Sequence, residues 1–217
     1  MKSILRMLFV FALLAPVCLA QNVVIKHKVY TTTFNKTYRF PVVVKWWLTK
    51  AVLHCQNPLA RPDCFCPDPL LPFYTDLDSD YYRKGFDRGH NCDAADCRCD
   101  TVAEYESFYY SNMCPQTATL NRGIWKKLED SCRTIAESYD STLIWCGSVA
   151  KASAKKIGPD SMVVPNYCWK IVYIKRRNKT LSYVFPNDTV LSGQLSSYLV
   201  SADSVKHLSG IKFTKSR

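Results

Sequence analysis

The sequence predicts an α+β domain in which antiparallel strands pack against one long helix. Three observations carry that expectation. Several short stretches rich in Val, Ile, Trp and Tyr alternate apolar with polar residues, the period of a strand. One stretch, Arg122 to Tyr139, repeats Ile124, Leu128, Cys132, Ile135 and Tyr139 at helical spacing with no proline inside it. The tight turn at Arg177-Asn178-Lys179 joins two neighbouring strand-like stretches, as antiparallel pairing requires.

The chain opens with Lys2 and Arg6, an apolar run from Met7 to Leu14, and a small-residue exit through Pro16, Cys18 and Ala20. This pattern predicts a cleaved secretory signal peptide over residues 1–20 and an extracellular protein formed by one domain, 21–217. The run falls short of the ~20 apolar residues a membrane span needs, and no later stretch supplies them. Asn22 to Tyr30 and Tyr38 to Leu48 read as strands, the first with one solvated face and the second starting near a sheet edge because of Pro41. Ala51 to His54 reads as a third short strand. Five prolines make Gln56 to Pro72 irregular, and Phe73 to Lys84 shows no period. Asp76, Asp78 and Asp80 alternate, but the glycine and closing glutamate of a calcium loop are missing. Beyond the helix, Ser141 to Val149 reads as a buried strand, Lys151 to Asp160 as a basic loop, and Tyr167 to Ile174 with Leu181 to Phe185 as a strand pair. A short helix over Ser201 to Leu208 is expected, capped by Asp203 and ended by Gly210.

Eleven cysteines, less Cys18, leave ten for an oxidising compartment, which allows up to five disulfides. Cys92, Cys97 and Cys99 lack the paired C-x-x-C spacing of a zinc site. Lys and Arg number 29 against 18 Asp and Glu, a formal net charge of +11. Basic clusters lie at Lys126-Lys127, from Lys151 to Lys156, and at Lys175-Arg176-Arg177 with Lys179. Such a surface attracts polyanions. Sequons at Asn35, Asn178 and Asn187 are compatible with glycosylation. Nothing implies a membrane association of the mature chain or an obligate protein partner.

The chemistry concentrates between Tyr82 and Arg133. His90 is the candidate base, since imidazole accepts a proton near neutral pH. Gly89 beside it lets the backbone turn tightly or approach a phosphate. His27, His54 and His207 lack a polar constellation and read as structural. Asn121 precedes the helix, and two roles suit it: an N-cap, or a neutral oxygen ligand for Mg²⁺. Glu129 and Arg133 share one helix face, either as a surface ion pair or as a carboxylate that orients metal-bound water and a cation near a phosphate. Trp125, in the same row, is expected to pack against the core.

Taken together these residues resemble the DNA/RNA non-specific endonucleases of the ββα-metal, or His-Me finger, class. The resemblance rests on Asp87-Arg88-Gly89-His90 followed by Ala94, on Asn112 with Pro115-Gln116, and on Leu120-Asn121, Trp125, Leu128-Glu129 and Arg133. Softer matches are Arg61, Phe65 and Asp68 upstream, Val164-Pro165 with Trp169-Lys170, and Leu208-Ser209-Gly210 with Phe213. It implies an antiparallel sheet core carrying a ββα-metal motif, here disulfide-stabilised. It implies that His90 activates water, that Asn121 is the direct protein ligand of a hydrated Mg²⁺ for which Mn²⁺ can substitute, and that Glu129 holds the metal through its waters. Arg88 and Arg133, with Arg61, would act on the phosphate, and Asn112 would support the site. DNA and RNA would be cut to products with 5′-phosphates. The chain departs from the pattern at Asn91-Cys92-Asp93, where a small apolar stretch is usual, and this bears on substrate preference. A secreted basic protein that binds polyanions without cutting them is the alternative, but it needs no set such as His90, Asn121 and Glu129.

Overall fold

In the computed structural model, which describes residues 21–214, the strand-forming stretches assemble into one seven-stranded antiparallel sheet. Residues 1–20, the expected signal peptide, lie outside the described residues. The strands are β1 (Asn22–Lys26), β2 (Tyr30–Asn35), β3 (Phe40–Thr49), β4 (Asp87–His90), β5 (Met113–Gln116), β6 (Ser141–Val149), β7 (Lys156–Ile157), β8 (Met162–Val163), β9 (Tyr167–Ile174), β10 (Lys179–Pro186) and β11 (Leu199–Val200). The helices are α1 (Lys50–Leu53), α2 (Pro72–Thr75), α3 (Asp78–Tyr81), α4 (Thr101–Ser107), α5 (Lys126–Tyr139) and α6 (Ala202–Ser209). The large sheet runs β1-β2-β3-β6-β9-β10-β11, while β4 and β5 pair separately, as do β7 and β8.

Both faces of the sheet are covered. Val44, Trp46, Leu48, Ile144 and Val172 pack against Leu128, Cys132 and Ala136 of α5. On the opposite face Leu143, Trp145, Trp169 and Ile171 pack with Val205 of α6 and with Phe213. This explains a misleading pattern in β9. Lys170 occupies the polar step of an apolar alternation, yet its side chain is only 1% exposed because its face meets α5 rather than water.

Several expectations are corrected. The first predicted strand is two elements, β1 and β2, joined by a turn in which His27 N–H donates to Tyr30 O. Ala51 to His54 is not a strand: its first three residues lie in α1, capped by Thr49, whose hydroxyl accepts from the Val52 N–H, and His54 is the C-cap. Pro41 lies in a central strand; it is tolerated because it sits at the register shift against β2 and before the first residue that pairs with β6, Val44. Ser201, not Asp203, caps α6, which ends at left-handed Gly210 as expected. The long helix starts at Lys126 rather than Arg122, after a widened turn with a break at Gly123 (φ −102°, ψ −109°).

Among the described residues one disulfide is present, Cys55–Cys99, of the up to five that the cysteine count allowed. The other eight described cysteines are thiols. Cys132, Cys146 and Cys168 serve as small apolar core residues, and the Cys92 and Cys97 sulfurs stand 3.9 Å apart. Among the described residues no helix is long and apolar enough to cross a membrane.

Leu128, 1% exposed, anchors α5 to the sheet. Leu128→Ala is expected to lower stability by about 2–5 kcal/mol in urea unfolding, through lost burial and the cavity left behind. A loss below ~1 kcal/mol would contradict this packing.

Candidate active site

The strands β4 and β5 form a short antiparallel ladder in which Arg88 faces Pro115, Gly89 faces Cys114 and His90 faces Met113. A Cβ at Gly89 would lie 2.3 Å from Gln116 Oε1, so a larger residue here would force the buried Gln116 side chain to move. Asn112, fully buried, closes the ladder's end. Its Nδ2 donates to Cys92 O (2.8 Å) and Ser107 O (2.8 Å), and its Oδ1 accepts from Cys92 N–H (2.9 Å). Asn112 thus fixes the chain leaving His90 and does not reach the cleft. Its polar groups are consumed by backbone, so it supports the site from beneath.

His90 sits at the end of β4, 7% exposed, with ring centroids of Phe108 and Phe65 at 5.1 and 5.6 Å. Its Nε2 is buried and unpartnered among the described residues. Burial lowers the imidazole to about 4; the Asp93 carboxylate opposes this and Arg61 adds to it. The ring is therefore neutral at pH 7, with a free lone pair.

The widened turn Leu120–Trp125 carries Asn121 toward β4. Asn121 Nδ2 donates to Asp87 Oδ2 (3.0 Å), while Arg122 grips both oxygens of the same carboxylate (2.8 and 2.6 Å). Asn121 is thus not an N-cap. With its NH₂ held, its carbonyl is the group left to present to the cleft that it lines. Arg122 beside it, and the Asn121 hydrogen bond, hold the Asp87 carboxyl below the usual range.

On α5, Glu129 and Arg133 do not pair with each other. The nearest cation to Glu129 is Lys170 of β9, with Nζ to Oε1 at 3.9 Å. Lys170 also lies 4.6 Å from the Trp125 ring centroid and 5.6 Å from that of Trp46. Burial, then Asp93, push the Glu129 carboxyl well above its ordinary range against the pull of Lys170. Arg133 is held by Asp93, by Asp96 (3.2 Å) and by Asp130 (2.5 Å). Its charge is compensated three ways, so it borders the cleft as part of an ion cluster rather than as a free phosphate ligand. Burial and the Asp93 charge raise Asp96 to about 7.

Arg88 donates to Tyr110 Oη (3.1 Å) and to Asp78 (2.6 Å) and lies over Phe65. Arg61 pairs with Asp63 (2.7 Å) and lies over Phe108. Around one cleft of about 330 Å³ the fold gathers His90, Arg88, Arg61, Asn121, Glu129 and Arg133, six of the seven residues singled out from sequence. Sequence reasoning gave no task to Arg122 or Asp96, and it named Asp87, Asp93 and Lys170 only as members of motifs, without the partners they take here.

An antiparallel strand pair feeding a helix, with a neutral imidazole and an oriented amide carbonyl across the junction, defines the ββα-metal class of site. The model of the DNA/RNA non-specific endonuclease family matches residues 13–216, and the chain belongs to that family. It is 29% identical over 204 residues to "Nuclease 1, mitochondrial" of Schizosaccharomyces pombe, covering 84% of this chain and 63% of that one. It is likewise 29% identical over 203 residues to human "Nuclease EXOG, mitochondrial", covering 85% and 55%. The chain therefore spans between half and two thirds of the length of these curated relatives. Among solved structures it resembles that of an EndoG/EndoGI complex, with a TM-score of 0.80, 27% identity, and 88% and 84% of the two chains covered.

These relatives correct one expectation. They are mitochondrial nucleases, which points away from the extracellular location inferred from the N-terminal segment. Two sequon asparagines also have structural tasks: Asn35 Nδ2 donates to Asn22 Oδ1 (2.8 Å), and Asn187 Nδ2 donates to Pro115 O (2.8 Å) and Pro165 O (3.0 Å).

In an NMR titration, His90 is expected to protonate near 4, well below its unfolded value of about 6.5. The unfolded chain then binds this proton first as pH falls. The contribution to stability is full above ~6.5 and is lost toward pH ~4, on the order of 3 kcal/mol. A midpoint near 6.5 would contradict the closed aromatic setting of the ring.

Proposed function

We propose that this chain is a divalent-metal-dependent endonuclease that hydrolyses phosphodiester bonds of DNA and RNA without strong sequence specificity, leaving 5′-phosphates. The observation that carries the reading is the neutral, buried His90 opening onto the same cleft as the Asp87-oriented carbonyl of Asn121. A base must be unprotonated before it can work, and this one is so across the physiological range.

The donor set fits a hydrated Mg²⁺, with Mn²⁺ as a substitute. No group of three or more His, Cys, Asp or Glu side chains stands together as a ready metal cage among the described residues. One neutral oxygen from Asn121 and the nearby Glu129 carboxyl, which a bound cation would favour in its ionised form, suit a hard cation that keeps most of its own water. When bound, the ion would polarise the phosphodiester and stabilise the negative charge of the departing oxygen. His90 takes a proton from the attacking water, whose oxygen forms the new bond to phosphorus. The bond from phosphorus to the 3′ oxygen breaks, and the phosphate stays on the 5′ side. Arg88 and Arg61, steadied by Asp78 and Asp63, place cationic charge along the cleft wall for the phosphate. Arg133 acts at one remove, locking Asp93 and Asp96 in the loop after His90.

Supercoiled plasmid and RNA, incubated with the protein in Mg²⁺ or EDTA, test this directly. Wild type is expected to nick and digest both in Mg²⁺ and neither in EDTA. His90→Ala is expected to lose ~10²–10⁴ in rate while keeping its circular dichroism spectrum. Retained binding with no cleavage in any metal would favour the polyanion-binding alternative.

Asn121→Ala should raise the Mg²⁺ concentration needed for half-maximal cleavage by at least about tenfold, the scale of a lost metal-ligand contact. An unchanged metal requirement would remove Asn121 from the ligand role.

A further inference from the structure

The cations that border the catalytic cleft are already occupied. Arg61, Arg88, Arg122, Lys126 and Arg133 each pair with a carboxylate. The unpaired cations nearby lie outside it, beside aromatic rings. Arg83 lies over the Tyr82 ring at 5.0 Å from its centroid, Lys155 over that of Phe86 at 5.4 Å, and Lys151 over that of Tyr167 at 5.2 Å. None of these three cations pairs with a carboxylate among the described residues, and all three are exposed.

The rings and cations are connected to the cleft. A second cleft, of about 380 Å³, shares Arg61, Arg88, Asn121 and Arg122 with the catalytic one and continues to Tyr82, Arg83 and Phe86. A third, of about 390 Å³, takes up Phe86 again and ends at Lys155, Tyr167 and Lys151. Tyr82 is 63% exposed, far more than an isolated tyrosine with a packing task needs. One carboxylate, Asp188, also borders the third cleft, and it accepts a hydrogen bond from its neighbour's backbone, Thr189 N–H, at 2.6 Å.

We infer that these clefts form a binding track for single-stranded nucleic acid leading away from the catalytic cleft, with Tyr82, Phe86 and Tyr167 as stacking platforms and Arg83, Lys155 and Lys151 as phosphate contacts. The inference rests on the nuclease reading for its direction but not for its chemistry. An exposed cation over an aromatic face matches one nucleotide: the phosphate draws the flexible charge off the ring, and the base stacks on the face it leaves. Bases in a duplex are stacked on one another and cannot use such rings, so the track favours single strands. It discriminates by strandedness and not by sequence, since every base has a stacking face.

Binding is measured by fluorescence anisotropy with a labelled twelve-nucleotide single strand and with the matching duplex, in Mg²⁺, on a His90→Ala background so that nothing is consumed. Tyr82→Ala with Tyr167→Ala is expected to weaken single-strand binding by about tenfold or more, since each lost stack is worth roughly 5- to 150-fold, and duplex binding by less than about twofold. Phe86 is spared because it packs against the cluster around Leu77 and Tyr81. Lys151→Glu with Lys155→Glu, at exposed positions where folding is not at stake, should reproduce the loss and flatten its salt dependence. Unchanged single-strand affinity in both double variants, or equal losses for single strand and duplex, overturns the track. Hydrolysis of bis(p-nitrophenyl) phosphate, too small to reach the track, is run in parallel with the His90-containing proteins. Loss of single-strand binding by a protein that hydrolyses nothing supports the track and overturns the nuclease reading. Intact hydrolysis with unaltered binding does the reverse.

Discussion

Two cations set beneath the cleft govern the structure around it. Lys170 is fully buried on β9 and Arg133 is four-fifths buried on α5. A charge removed from water must be met by opposite charge or by strong hydrogen bonds, or the fold loses several kcal/mol. The answering carboxyls come from elsewhere: Asp93 and Asp96 from the loop after His90, Glu129 and Asp130 from α5. The electrostatic demand therefore binds strand, helix and loop into one unit. That unit holds the ring of His90 and the carboxyl of Glu129 in the lining of the same cleft. Burial and the Asp93 charge raise Asp96 to about 7, against the pull of Arg133.

What could be read from sequence was local in the chain. Asp87-Arg88-Gly89-His90, Asn121 and Glu129 announce themselves through short spacings, and the helical period of Leu128, Cys132 and Tyr139 is continuous. The fold class follows from the same periods, and the large antiparallel sheet bears it out. Partnerships across long separations could not be read. The natural pairing of Glu129 with Arg133 at helical spacing gives way to Lys170, 41 positions from Glu129, and to acids 37 and 40 positions before Arg133. Asn121 looked like a cap because it precedes a helix, but Gly123 breaks the chain's helical path and Asp87 takes the amide instead.

Composition misled where it was read as history rather than as physics. Ten cysteines beyond an apolar start suggested a densely cross-linked secreted chain. The fold uses most of these sulfurs as small core groups, and the thiols of Cys92, Cys132 and Cys146 are pushed up by burial and stay protonated. Two sequon asparagines, Asn35 and Asn187, also make hydrogen bonds within the fold. An asparagine followed two places later by threonine is a weak signal, since each residue has local structural uses of its own.

The distribution of charge separates two tasks that composition merges. A net charge of +11 says that polyanions will be attracted, but not where they are held. In the cleft each arginine is fixed by a carboxylate, which costs attraction and gains position. A fixed guanidinium is ready for charge that develops during reaction, whereas a mobile one would spend its interaction on the ground state. Outside the cleft the opposite holds. Arg83, Lys151 and Lys155 carry no acidic partner among the described residues and can meet phosphates as they arrive. On the proposed reading, capture would fall to the rim and chemistry to the compensated centre. Rim substitutions should therefore act on affinity, while substitutions around His90 should act on the rate of bond cleavage.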